Sequence, residues 1–104
     1  MESTRLETLK TMVEQQPDSA FGRYGLAMEY VRLGDLETAA AEFEALLTRN
    51  PSYAAGYFHG GQTLEKLGQI EEARELYRKG IDVTTASGDG HTRSELIAAL
   101  QMLA

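Results

Sequence analysis

No cysteine occurs among the 104 residues, so the chain can form no disulfide framework, no thiolate metal site and no cysteine nucleophile. The reducing cytosol is the undemanding compartment for such a chain, and a cytoplasmic location is the expectation. Histidine is scarce: His59 and His91 stand alone, and neither has a metal-binding spacing such as His-Glu-x-x-His. No metal and no cofactor is therefore expected. His59, beside Phe58 in a predicted helix, and His91, just before a helix start, read as solvent-facing or capping residues. No apolar run approaches the roughly 18 residues of a membrane span. Glu2, Arg5, Glu7 and Lys10 interrupt the stretch where a signal-peptide core would lie, so neither a signal peptide nor a membrane partner is expected. Basic residues number ten against sixteen acidic ones, and the net charge of −6 argues against nucleic acid as a partner. Glu71, Glu72, Arg74, Glu75, Arg78 and Lys79 spread charge over one helix surface, which reads as a solvated face.

Groups that could converge on a reaction are also few. Carboxylate pairs such as Glu42 with Glu44, or Glu71 with Glu72, fall on polar helix faces. Ser87-Gly88-Asp89-Gly90 is too short for a phosphate loop and lacks a following lysine, so it reads as a flexible connector. No nucleophile, base and orienting group can be assembled at meaningful spacing, and we expect no catalytic residue.

What the chain does have is a period of 34 residues. Pro17 and Pro51, Ala20 and Ala54, Tyr24 and Phe58, Ala27 and Gly61, Gly34 and Gly68, Ala39 and Ala73, and Phe43 and Tyr77 pair at that interval. Helical spacing within each unit makes this the pattern of a stacked helical repeat. A length of 104 residues with 42% hydrophobic and 25% charged side chains suits one domain. Leu6, Leu9, Met12 and Val13 predict a helix over 4–15, with Thr4 and Glu7 as a capping box and Pro17 beyond its end. A second helix runs from about Asp18 to Leu33 and stops at Gly34; Asp35 caps a third, which ends near Arg49. In the second unit, Ser52 is placed to cap a helix over about 53–67, and Gly68 turns into another that reaches about Thr85. Thr92 and Glu95 suggest a capping box for a last helix over 92–103, where Leu96, Ile97, Leu100 and Leu103 would form a lid on the stack.

These residues resemble the tetratricopeptide repeat family, whose unit is two antiparallel helices with a small residue, an aromatic, a Gly-Asp turn, an alanine, a second aromatic and a closing proline. Residues 20–53 match with Ala27, Tyr30, Gly34, Asp35, Ala39, Phe43 and Pro51. Residues 54–87 keep Gly61, Gly68, Ala73 and Tyr77, but carry Leu64, Gln69 and Gly80 where the pattern has an aromatic, an aspartate and a larger apolar residue. The resemblance implies an all-α, right-handed α–α superhelix of six helices, with the small residues, Phe43 and Tyr77 as core.

The same resemblance assigns the concave face to the first helix of each pair: Phe21, Tyr24, Met28, Val31 and Arg32, then Ala55, Phe58, Gln62, Glu65 and Lys66. Helical spacing alone places Tyr24, Met28 and Val31 in one row and Phe58, Gln62 and Glu65 in another. Phe21, Tyr24, Met28, Arg32, Phe58, Gln62, Glu65 and Lys66 are the candidate partner-binding residues, and the expected function is non-catalytic binding of a peptide segment or partner helix. The alternatives are that the end helices bury Phe21, Tyr24 and Phe58, and that the groove or the open stack ends pair two copies of the chain. Family members that clamp the terminal carboxylate of chaperone tails use lysine and asparagine where Tyr24 and Met28 stand, so that clamp is not expected. Gly56, Gly60 and Gly61 lie inside one predicted helix, each costing about 0.8–1 kcal/mol against alanine. Two accounts of Gly60 and Gly61 stay open: close helix contact, or room cleared for a ligand backbone.

Overall fold

Helix ends in this chain are set by local chemistry, and most lie where caps and breakers place them. The computed structural model describes residues 4–103. It contains α1 (Thr4–Gln15), α2 (Ala20–Leu33), α3 (Leu36–Arg49), α4 (Ala54–Lys66), α5 (Ile70–Ser87) and α6 (Gly90–Gln101), with no strand among the described residues. The turn after α2 requires glycine: Gly34 has φ 83°, its N–H donates to the Val31 carbonyl (3.0 Å) and the Asp35 N–H to that of Tyr30 (2.9 Å). This bond pair satisfies carbonyls that the helix end would leave bare. Gly68, at φ 80°, repeats the arrangement between α4 and α5. The Asp35 carboxylate accepts the Thr38 N–H at 3.3 Å and starts α3.

At four helices the start or its cap differs from the sequence reading. The described part of α1 spans the expected 4–15, but Thr4 is itself helical and not the cap, so the capping position lies outside the described residues. For α2 the cap is Ser19, whose Oγ accepts the Gly22 N–H at 3.2 Å, while Asp18 pairs with Arg49 at 3.0 Å. Ser52 does not cap α4; Tyr53 holds that position with no side-chain bond. The last helix begins at Gly90 and not at Thr92, because the Asp89 carboxylate accepts the Thr92 N–H at 3.1 Å. A charged cap at the positive helix end outcompetes the hydroxyl three residues later. That bond also holds the Asp89 carboxyl below its ordinary pKa. The expected Gly-rich connector is thus reduced to Gly88 and Asp89.

Each helix packs on the next, and α4 also touches α2 and α6, whereas α3 and α5 do not approach one another. Helices set closely in one layer and apart in the other curve the stack, so α2, α4 and α6 line the inner side of a right-handed superhelix. Ala27, Ala39, Phe43 and Leu46 form one core cluster, and Tyr57, Ala73, Tyr77, Leu96 and Ala99 the other. Of the four lid residues, Leu96 is wholly buried and Leu100 and Leu103 pack on the second cluster, while Ile97 stays half-buried outside it.

Candidate partner-binding site

Tyr24 on α2 is the hub of an aromatic cluster on the inner layer. Its ring lies 5.4 Å from that of Tyr53, 5.9 Å edge-on to His59 and 6.4 Å edge-on to Phe43. His59 in turn meets Phe58 edge-on at 5.1 Å, so α2 and α4 are joined through a histidine. Edge-to-face pairs at these separations suit the ring quadrupoles and fix the side chains against one another. Phe43 is the buried root; Tyr24, Tyr53, Phe58 and His59 are all half-buried, leaving part of each ring open. Burial, followed by the nearby Tyr53, raises the pKa of Tyr24, and burial raises that of Tyr53. Both hydroxyls stay protonated at neutral pH and neither has a hydrogen-bond partner among the described residues. Their bodies are packed and their polar tips are free. For His59 burial is the leading cause of a lowered pKa, with Glu95 raising it and Lys66 lowering it.

The remaining candidates separate into different environments. Met28 is half-buried against the first core cluster and extends the floor beside Tyr24. Lys66 is exposed and has no ion pair among the described residues, which leaves it as a rim charge. Gln62 and Glu65, in contrast, serve the interior: the Gln62 amide donates to the Tyr77 hydroxyl at 3.1 Å, and that hydroxyl donates to Glu65. Tyr77 is wholly buried, and burial with the Glu65 bond pushes its pKa well above the ordinary tyrosine value. Arg32 is bound to Glu29, which is only 2% exposed and also receives Arg5 of α1 at 3.2 Å. Phe21 lies apart from the cluster at 74% exposure, next to Met12 and Leu9 of α1.

His59 is the correction that changes the site, since it is neither solvent-facing nor a cap. It stands four residues after Ala55 and three before Gln62, on a stripe already assigned to the inner face; that spacing was the available signal. Tyr53 had no such signal, because it precedes the helix whose ring cluster it joins. Among the described residues no group of three or more His, Asp or Glu side chains could hold a metal ion, and no helix is long and apolar enough to cross a membrane.

The Tetratricopeptide repeat family model matches residues 24–89, which take in both hairpins except the first four residues of α2. The chain belongs to the tetratricopeptide repeat (TPR) family. A TPR repeat-containing protein of Pseudomonas aeruginosa is 29% identical over 98 residues, covering 94% of this chain and 93% of that one. The tetratricopeptide repeat domain protein of Salinibacter ruber has 33% identity, a TM-score of 0.78, and covers 82% of this chain and 94% of its own. The TPR2B domain of yeast Sti1, solved in complex with pHsp70, has the same fold at 14% identity, with a TM-score of 0.88 over 94% of this chain and 78% of that chain.

In this TPR chain Gly56, Gly60, Gly61 and Gly80 lie where helices meet. A Cβ on Gly61 would lie 2.2 Å from Tyr77 Cε1, and one on Gly56 2.8 Å from Leu47 Cδ2. At Gly60 a Cβ would sit 3.0 Å from Leu76 Cδ2 and 3.3 Å from Phe43 Cβ. Gly80 is closed in the same way, 2.6 Å from Tyr57 Cβ. Gly60 and Gly61 are both buried against side chains of other helices, so the close-contact account holds for them, and at Gly61, where Tyr77 fills the space, the reading that a ligand backbone is admitted is overturned.

Proposed function

We propose that this TPR chain is a protein-interaction module whose inner face takes an apolar peptide segment or partner helix. Tyr24, Phe58 and His59 form the centre, with Met28 beside them and Lys66 at the rim. The observation that carries the reading is the half-buried ring cluster with two unbonded tyrosine hydroxyls on the inner layer. Rigid rings supply apolar area at small entropic cost, and free hydroxyls offer hydrogen bonds to a partner's backbone. Tyr24 and Met28 supply no cation or amide for a terminal carboxylate, so the side chains within the segment are what this face reads. The fold neighbour solved with pHsp70 supports a binding role of this general kind. Selecting peptides from a random library and measuring their anisotropy titrations tests the proposal. Tyr24→Ala or Phe58→Ala should each weaken a selected peptide by at least about 1 kcal/mol with the helical signal retained, and Lys66→Ala should act mainly at low salt. Binding that survives both ring truncations would remove the inner face as the site.

Self-association is the second reading, favoured by exposed apolar side chains at the stack ends: Met12 and Phe21 at 41% and 74%, and Met102 at 87%. Light scattering over a concentration series decides it, because end-to-end pairing would raise the mass and Phe21→Ser would lower it again.

A further inference from the structure

The superhelix leaves a second open surface, on the side opposite the aromatic cluster. Because α3 and α5 stand apart, they wall a groove of about 920 Å³ whose floor is α4. Leu47 of α3, Leu64 of α4, and Leu76 and Val83 of α5 line it, all half-buried. Gly60 keeps the floor low between Phe43 and Leu76. The rim is acidic: Glu44, Glu72, Glu75 and Asp82 surround one base, Lys79, and none of the five has an ion pair among the described residues. We propose that this outer groove is a second docking surface, whose occupant is an amphipathic helix with an apolar stripe flanked by lysine or arginine.

Both features argue for that occupant and against others. Wall residues recur at 40, 44 and 47 on α3 and at 72, 76, 79 and 83 on α5, the spacing at which helix ridges receive another helix. A helix laid along the floor would continue the packing that already joins α3, α4 and α5. Four unpaired carboxylates attract a basic segment and repel an acidic one, including a second copy of this chain with its net charge of −6. This surface rests on residues other than the Tyr24, Phe58 and His59 centre of the inner-face proposal, and only the buried Phe43 lies beneath both.

The test uses three synthetic peptides of about 15 residues, or about four helical turns. The first is an amphipathic Lys/Leu helix, the second has its composition in scrambled order, and the third has Glu for Lys. Anisotropy titrations against the full chain at low salt should show the first binding at least about tenfold more tightly than the other two. Amide shifts on binding should centre on Leu47, Leu64, Leu76 and Val83. The exposed double substitution E72K/E75K should weaken the amphipathic peptide by at least about tenfold, with Glu44→Lys as an independent check on α3, whereas Tyr24→Ala should leave it unchanged. Equal affinity for the scrambled peptide, shifts centred on Tyr24 and Phe58, or indifference to both charge reversals would overturn the proposal.

Discussion

Replacing Gly61 with alanine sets helix propensity against packing, and the structure decides the sign. Propensity alone favours the substitution by about 0.8–1 kcal/mol, since Gly61 lies inside α4. The new methyl would fall 2.2 Å from Tyr77 Cε1 and 2.7 Å from Cδ1 and Cζ, an overlap that neither ring nor backbone can absorb in place. Tyr77 cannot swing aside cheaply: it is fully buried, and its hydroxyl is held by Gln62 and Glu65. Overpacking of this kind costs about 1–3 kcal/mol, and each displaced hydrogen bond adds about 1 kcal/mol. We therefore expect Gly61→Ala to destabilise by about 2 kcal/mol net, lowering the melting temperature by on the order of 10 °C in a domain of this size. Urea and thermal unfolding followed by circular dichroism measure it, and Gly61→Ala/Tyr77→Leu supplies the coupling, since removing the ring should make the alanine nearly harmless. A Gly61→Ala variant as stable as the parent would refute the close-contact account.

Other consequences can be checked with the same measurement. At Gly34 an added Cβ meets nothing within 4 Å, so the cost of Gly34→Val arises from φ 83° alone, about 1–2 kcal/mol, and Gly34→Asn should cost less. Leu96 is fully buried against the second core cluster, so Leu96→Ala should destabilise by about 2–5 kcal/mol, and deletion from Gly90 onward should unfold or aggregate the chain. An unchanged melting temperature after that deletion would show α6 to be a detachable tail. Burial holds His59 below its ordinary pKa of 6.5, so the unfolded chain takes up a proton that the folded chain refuses, and stability should fall as pH drops through about 6.5. Melting curves between about pH 7.5 and pH 5.5 should show that loss in the parent and much less of it in His59→Gln.

Repetition and local chemistry made most of the fold legible in the sequence. Gly34 and Gly68 mark turns because a backbone in the left-handed region selects glycine whatever surrounds it, and Asp35 caps α3 through an atom three residues away. Ala27, Ala39, Phe43 and Tyr77 were readable as core for a related reason: each recurs at 34 residues, and a stacking contact must be made again in every unit. Pattern alone misplaces two helix starts, near Asp18 and at Thr92, because the side-chain oxygens of Ser19 and Asp89 accept the backbone N–H groups of Gly22 and Thr92 and set the ends of α2 and α6 there.

The candidate site was legible only as a face. Helical spacing set Tyr24 and Met28 in one row and Phe58 in another, and the family resemblance put both rows on that face, yet spacing records the direction of a side chain along one helix and not what the adjacent helix brings opposite. Gln62 and Glu65 share the stripe of Phe58 but turn to the Tyr77 hydroxyl, because a buried phenol must be satisfied and α5 delivers it there. Arg32 is claimed by Glu29, which also receives Arg5 through the docking of α1, and His59 joins the rings because α2 places Tyr24 against it. The outer groove has no counterpart in the linear pattern at all: it exists because α3 and α5, each an ordinary amphipathic helix, are held apart by the width of α4. Turns, caps and repeated core contacts are local or periodic and are carried by the sequence itself, whereas which polar groups stay free and where clefts open depends on the distances between helices, which only the packed structure sets.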